Sequence, residues 1–122
     1  MANELEITGI IKYNKGGVKA SLSLSSLIDI GGSNVYEGVQ SVESSPDPIE
    51  LGSILSSDDP YVIIENRSDT ATVSVQNATS PPVVFCTIPP RSFAGPMQIT
   101  ENVLNLATDS GTASVRIIAI SP

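Results

Sequence analysis

The chain has 122 residues, of which 40% are hydrophobic, and this length and composition are enough for one domain with one core. A net charge of −7 argues against a nucleic-acid partner, because binding phosphates requires clustered Lys and Arg, and the six basic residues are spread out. Without histidine or a second cysteine, Ser-His and Cys-His catalysis is excluded, so we expect no enzyme activity and no cofactor.

The location of the protein is inferred from its hydropathy and its first residues. No stretch approaches the roughly 18 consecutive apolar residues of a membrane-spanning helix. The sequence Met1–Glu6 is polar and acidic, unlike a secretion signal. We therefore expect no contact with a membrane, and a protein that is made and assembled in the cytoplasm.

The first predicted element in the chain is a β-hairpin. Residues 14–17 (Asn-Lys-Gly-Gly) have the composition of a tight turn, in which glycine supplies the positive φ angle. On both sides of this turn apolar residues alternate with polar ones, as in half-buried strands. The apolar positions are Leu5, Ile7, Ile11, Tyr13, Val18, Ala20, Leu22 and Leu24.

Further short strands are predicted at intervals of about ten residues, separated by Gly, Pro, Asn and Asp turns. Residues 44–48 are predicted to form a loop because of their two prolines. The apolar run 61–66 is typical of a strand buried on both sides. Residues 49–55 are predicted to form a short strand or an extended segment. The other predicted strands after the hairpin are 35–42, 61–66, 71–77, 83–88, 92–99, 102–107 and 113–120.

The fold class follows from the repeated alternation and from the lack of a sustained helical repeat of apolar residues. Many short strands joined by tight turns favour two packed antiparallel sheets. The sequence therefore predicts an all-β fold, namely a single-domain antiparallel β-sandwich over residues 1–122. This sandwich is expected to be jelly-roll-like, with eight to ten short strands.

The acidic residues and the cysteine receive structural interpretations. Asp58 and Asp59 form the densest acidic cluster, but they lack the alternating oxygen ligands of a calcium loop and are interpreted as a solvated turn. We therefore predict no metal site. Cys86 lies in an apolar run and is predicted to be a buried, unreactive thiol.

The segment 81–97 is the candidate interface, because five prolines fall among its residues together with two phenylalanines and a methionine. These prolines could simply end strands at the rim of the sandwich. They could also form a rigid apolar edge that docks on a neighbouring subunit, where aromatic residues and Met are favoured. The candidate interface residues are Phe85, Pro89, Pro90, Phe93, Pro96 and Met97.

Several segments resemble small tailed-bacteriophage virion proteins of the β-sandwich head decoration, or cement, type. The resemblance covers most of the chain and departs from the pattern at Pro89–Pro90, where a glycine turn would be expected. The segments are the opening residues 1–4, the turn 15–17, the stretches 39–42 and 49–52, the strand and turn 62–68, the strand 72–75, residues 92–94 and the closing strand 111–117.

The resemblance implies a structural subunit of the virion that stabilises the head shell. Its expected partners are the major capsid protein or other virion subunits. Charged side chains on edge strands hinder pairing with another chain, and the predicted edge strands carry few of them. We therefore expect a homo-oligomer, a trimer or a dimer, with contacts in the N-terminal hairpin and in residues 81–97.

Two alternatives stay open at this point. A tail, fibre or baseplate component of the virion is the first. The second is a carbohydrate-binding module, which is disfavoured because the aromatic residues that stack on sugars are scarce, at 4% of the chain.

Overall fold

The computed structural model of the protein describes residues 5–28, 34–55, 58–100 and 103–121. Within these ranges the chain forms ten antiparallel β-strands and no α-helix, which confirms the predicted all-β class. The strands are β1 (Leu5–Lys15), β2 (Val18–Ile28), β3 (Val35–Val42), β4 (Asp47–Pro48), β5 (Tyr61–Asn66), β6 (Val73–Asn77), β7 (Val84–Ile88), β8 (Phe93–Gln98), β9 (Leu104–Thr108) and β10 (Ala113–Ile120).

The chain divides into two compact units, residues 1–31 and 32–122, and each is described by itself. The first unit contains the predicted hairpin, in which β1 pairs with β2 and Lys15 lies opposite Val18. Gly16 and Gly17 form the two-residue turn with φ angles of 60° and 83°. Two consecutive positive φ angles are the geometry of a type I′ turn, which explains the need for glycine. The prediction of one domain over residues 1–122 stays a prediction.

The second unit is a sandwich of two four-stranded sheets. The first sheet has the strand order β3-β10-β5-β8, and the second has the order β4-β9-β6-β7. Every connection from β3 to β10 passes from one sheet to the other, except the β6–β7 hairpin. Eight strands wound in this way form a jelly roll.

The core of the sandwich lies between the two sheets and consists of aliphatic side chains. Alternate residues of each strand point inward, so the period-two pattern of the sequence becomes one buried face per sheet. Full burial of a Val, Leu or Ile side chain contributes about 1.5–3 kcal/mol. Buried strand residues of the first sheet include Val42, Val62, Ile64, Val115 and Ile117, and those of the second include Val73, Val75, Ile88, Leu104 and Leu106.

The region around β4 differs from the prediction of a loop at 44–48 followed by a short strand or extended segment at 49–55. Asp47 and Pro48 pair with Leu106 and Asn105, whereas residues 49–55 lie outside the strands. Proline is tolerated here because β4 is the edge strand of its sheet, where one side needs no ladder donor. Gly52 has a φ angle of 63°, which turns the chain within this segment.

Tyr36 fills the space between β3 and the segment 49–55. A Cβ atom added at Gly38 would overlap its hydroxyl group, and one added at Gly52 would overlap its ring. The ring is half-buried and packs against the core. The two glycines therefore make room for one aromatic side chain.

Two buried amide side chains connect distant parts of the sandwich. The Gln40 amide donates to the Pro48 carbonyl at 2.9 Å and accepts from the Glu50 N–H at 2.9 Å, as a neighbouring strand would. The fully buried Asn66 amide nitrogen lies 2.8 and 3.0 Å from the carbonyl oxygens of Ala71 and Ile88. Buried polar groups are tolerated when they are hydrogen-bonded, and these two fix the connections around them.

Candidate interaction surfaces

The outer face of the first sheet carries mostly apolar side chains. The strand register sets Ile120 between Val35 and Tyr61, and Ile118 beside Ile63. All of these side chains are half-buried or exposed. We call this surface the apolar face, and it consists of Val35, Val39, Tyr61, Ile63, Phe93, Ile118 and Ile120.

Phe93 is the most exposed large apolar side chain of the apolar face, at 69%. It begins β8, the edge strand of the sheet, where it pairs with Glu65 of β5. Phe93 lines a small cavity of about 110 Å³ together with Ile63, Ile118, Glu65 and Arg116. An exposed aromatic ring beside such a cavity is the kind of feature that anchors protein interfaces.

Charged groups on the apolar face are few and are mostly paired. Arg116 forms an ion pair with Glu37 on the neighbouring strand, and its Nε donates to the Glu37 carboxylate at 3.1 Å. The hydrogen bond and the charge of Glu37 raise the pKa of Arg116 above its ordinary value, and Glu65 adds to this shift. The face therefore presents aliphatic and aromatic groups around one ion pair and one further carboxylate.

The outer face of the second sheet has a different chemistry. Ser74 and Thr87 lie opposite each other, and so do Gln76 and Asn105. The Ser74 hydroxyl group lies 3.3 Å from the Gln76 Oε1 and 3.2 Å from the Ala107 carbonyl, so the side chains are hydrogen-bonded to their own sheet. The central strands of this sheet are thus polar on the outside, while the edge strand β7 adds the exposed Val84 opposite Gln76.

The structure divides the six predicted interface residues among several places. Phe85, which is 48% exposed, and Met97 line a cavity of about 190 Å³ at the open edge of the sandwich. Phe93 instead lies on the apolar face. The other three are Pro89 and Pro90, between β7 and β8, and Pro96, within β8. The six do not form one surface, and their role in an interface stays a prediction.

Five residues of the apolar face were not predicted as interface residues, namely Val35, Val39, Ile63, Ile118 and Ile120. The sequence signal that could have identified them is a strand with apolar residues at both odd and even positions, as in β5 and β10. The run 61–66 was interpreted as buried on both sides, but its burial alternates. Glu65 is exposed and Tyr61 and Ile63 are half-buried, so this interpretation is wrong.

A wide depression of about 560 Å³ lies beside the segment 49–55. Its lining is mostly apolar and includes Tyr36, Ile49, Leu51 and Val103, with Glu50 contributing a carboxylate. Nothing in this lining pairs a nucleophile with a base. Among the residues that the structure describes, no group of three His, Cys, Asp or Glu could hold a metal ion.

Cys86 lies on β7 and is half-buried against the core, less deeply than the sequence predicts. Burial raises the pKa of its thiol, which lowers the fraction of reactive thiolate. Cys86 therefore gives no sign of an activated nucleophile.

In the described part of the chain, no helix is long and apolar enough to cross a membrane. No protein-family model, curated protein or solved structure matches the chain.

Proposed function

We propose that the protein is a structural subunit of a bacteriophage virion that decorates the head and docks on the shell through its apolar face. The observation that carries this proposal is the row of apolar side chains on the outside of the first sheet. Contiguous exposed apolar surface is uncommon on monomeric proteins and marks interaction sites. Its partners would be the major capsid protein or other virion subunits.

The composition of the apolar face fits a protein partner better than a small ligand. Phe93 supplies an exposed aromatic anchor, and the Glu37–Arg116 ion pair adds one polar contact within the patch. Interface cores are depleted in charge and enriched in aromatic side chains in this way. Docking would remove these side chains from water only when the shell is assembled.

The fold and the net charge are compatible with this role. Jelly rolls occur in viral capsid proteins and in lectins, although a fold by itself does not determine a function. A net charge of −7 keeps free subunits apart and repels packaged DNA. The fold and the charge thus agree with the resemblance to decoration proteins.

The proposal is tested on virions that lack this subunit because its gene has been deleted. Purified chain is added back to DNA-filled heads, and its binding is measured by co-sedimentation and by the temperature at which the heads release DNA. We expect the wild-type chain to bind and to raise that temperature. Phe93→Asp should abolish both effects, because it places a charge within an apolar contact.

Thr87→Asp is the matched control, since it places the same carboxylate on an exposed edge position of the other sheet. It should bind the heads as the wild-type chain does. Equal binding by Phe93→Asp would contradict docking through the apolar face. Binding only to tails, or binding to a glycan array and not to heads, would favour one of the two alternative functions.

A further inference from the structure

The outer edge of β1 in the N-terminal hairpin is an open site for strand pairing. In the described residues, β1 is hydrogen-bonded to β2 and to no other strand. An isolated two-stranded hairpin is marginally stable in water, and three or more strands are needed for independent stability. An eleven-residue edge strand is long enough to pair with another chain.

The turn geometry determines which residues of β1 direct their backbone groups outward. Lys15 and Val18 flank a two-residue type I′ turn and so form a hydrogen-bonded pair. Hydrogen-bonded and non-hydrogen-bonded pairs alternate along an antiparallel ladder. The odd-numbered residues of β1 therefore bond to β2, and the even-numbered ones offer their N–H and C=O groups to the free edge.

Two of the three charged residues of β1, Glu6 and Lys12 but not Lys15, are placed symmetrically about one glycine. Glu6 lies three residues before Gly9, and Lys12 lies three residues after it, and both side chains are exposed. A lone Lys on an edge strand would discourage pairing. An acid at the mirror position makes the edge complementary to itself in the antiparallel direction.

We propose that β1 pairs antiparallel with β1 of a second copy of this chain, with Gly9 on the two-fold axis. Glu6 then lies opposite Lys12 of the second copy, and Lys12 lies opposite its Glu6. Thr8 lies opposite Ile10 of the second copy within the same register. The two hairpins become one four-stranded sheet in the order β2-β1-β1-β2, and the exposed edge of β1 is removed.

Gly9 suits a position on the axis. A Cβ atom added there would meet nothing within 4 Å in the single chain, so the space beside it is open. Glycine within a strand often marks a place where another backbone approaches closely.

The outer edge of β2 is a poorer candidate for the same pairing. The exposed residues whose backbone groups face this edge include one cation and no acid, and they are Lys19, Ser21, Ser23 and Ser25. Pairing β2 with a second β2 about Ser23 would form no ion pair. The charge pattern therefore selects β1.

Disulfide trapping tests the register of this pairing. Across the two-fold axis, the two residues at position 9 form a non-hydrogen-bonded pair with Cα atoms about 4.5 Å apart, which is within the range of a disulfide. In a Cys86→Ser background, Gly9→Cys should form a covalent dimer upon mild oxidation. Ser23→Cys in the same background is the control and should stay a monomer. Trapping by Ser23→Cys to the same extent, or by neither variant, would overturn the proposal.

A charge swap tests the ion pairs in solution, by sedimentation equilibrium of the full chain. Glu6→Lys and Lys12→Glu should each weaken dimerisation roughly tenfold, since each places like charges opposite one another twice. The double variant Glu6→Lys/Lys12→Glu restores opposite charges and should recover the wild-type dissociation constant.

A wild-type chain that is monomeric at every concentration would overturn the proposal, as would single variants that dimerise as the wild-type chain does. Both experiments use purified chain without heads. Their failure would therefore leave head binding through Phe93 unaffected, and a failure of head binding would leave the dimer unaffected.

Discussion

The two sheets of the sandwich bury the same kind of side chain but present opposite surfaces to the outside. Inside, both sheets contribute valine, leucine and isoleucine to one core. Outside, the first sheet carries the apolar face, whereas the central strands of the second carry hydrogen-bonded polar residues such as Ser74 and Gln76. Folding requires only one apolar face per sheet. The apolar residues on the outside of the first sheet are therefore more than the fold requires, and this excess supports the proposed docking contact.

The largest expected effect comes from adjacent residues on the two sides of β10. Ile117 is fully buried and Ile118 lies on the apolar face. Ile117→Ala should lower the free energy of unfolding by about 2–5 kcal/mol, because it leaves a cavity in the core. Ile118→Ala should cost about 1 kcal/mol or less, since its side chain is already partly in water.

Urea denaturation of the two variants measures this difference, provided that both give the wild-type m-value. Equal losses of stability would mean that Ile118 is packed as tightly as the core. The apolar face would then be part of the fold and would no longer indicate a partner.

A smaller effect is expected from removing the ring of Phe93 from the apolar face. Phe93→Ser should shorten retention on a hydrophobic-interaction column, while stability stays within about 0.5 kcal/mol of wild type, as for most surface substitutions. Thr87→Ser on the outer face of the second sheet should change neither quantity. Unfolding of the Phe93→Ser variant would instead show that the ring belongs to the core.

The smallest effect concerns an exposed ion pair between the connections that join the two sheets. Arg91, between β7 and β8, pairs with Asp69, between β5 and β6. The hydrogen bond from Arg91, and then its charge, hold the pKa of Asp69 below its ordinary value. The stability that the ion pair contributes is complete above the pKa of an unfolded Asp, about 3.9. It is lost as the pH falls through the lower pKa of Asp69 in the folded protein.

The wild-type protein should therefore melt slightly above Asp69→Asn at neutral pH, and the difference should shrink as the pH falls below about 4. The effect is small because both side chains are largely exposed and screened by solvent. Thermal melts of both proteins across this pH range measure it. A difference that stays constant down to low pH would exclude a titration of Asp69 as its cause.

Local sequence was sufficient to predict the hairpin, the all-β class and the inward-facing residues of most strands. The Gly16–Gly17 turn and the alternation around it predict β1 and β2 without knowledge of any other segment, because the interactions involved are between near neighbours in the chain. The same alternation predicts that residues such as Val73 and Val75 face a core. These features depend on backbone geometry, which short stretches of sequence specify.

Only the tertiary structure decided which apolar residues face outward. In the run Ile117-Ile118-Ala119-Ile120 both sets of alternate positions are apolar, so periodicity cannot tell the buried set from the exposed one. The choice is made by β3 and β5, which pair with β10 from distant parts of the chain.

The predicted interface in residues 81–97 was divided for a similar reason. Its turn between β7 and β8 passes from the second sheet to the first, so Phe85 and Phe93, eight residues apart, belong to different sheets. Proline and aromatic composition indicates a rigid apolar segment, but it carries no information on where that segment crosses between sheets. Strand pairing over long sequence distances determines this crossing, and with it which side chains share a surface.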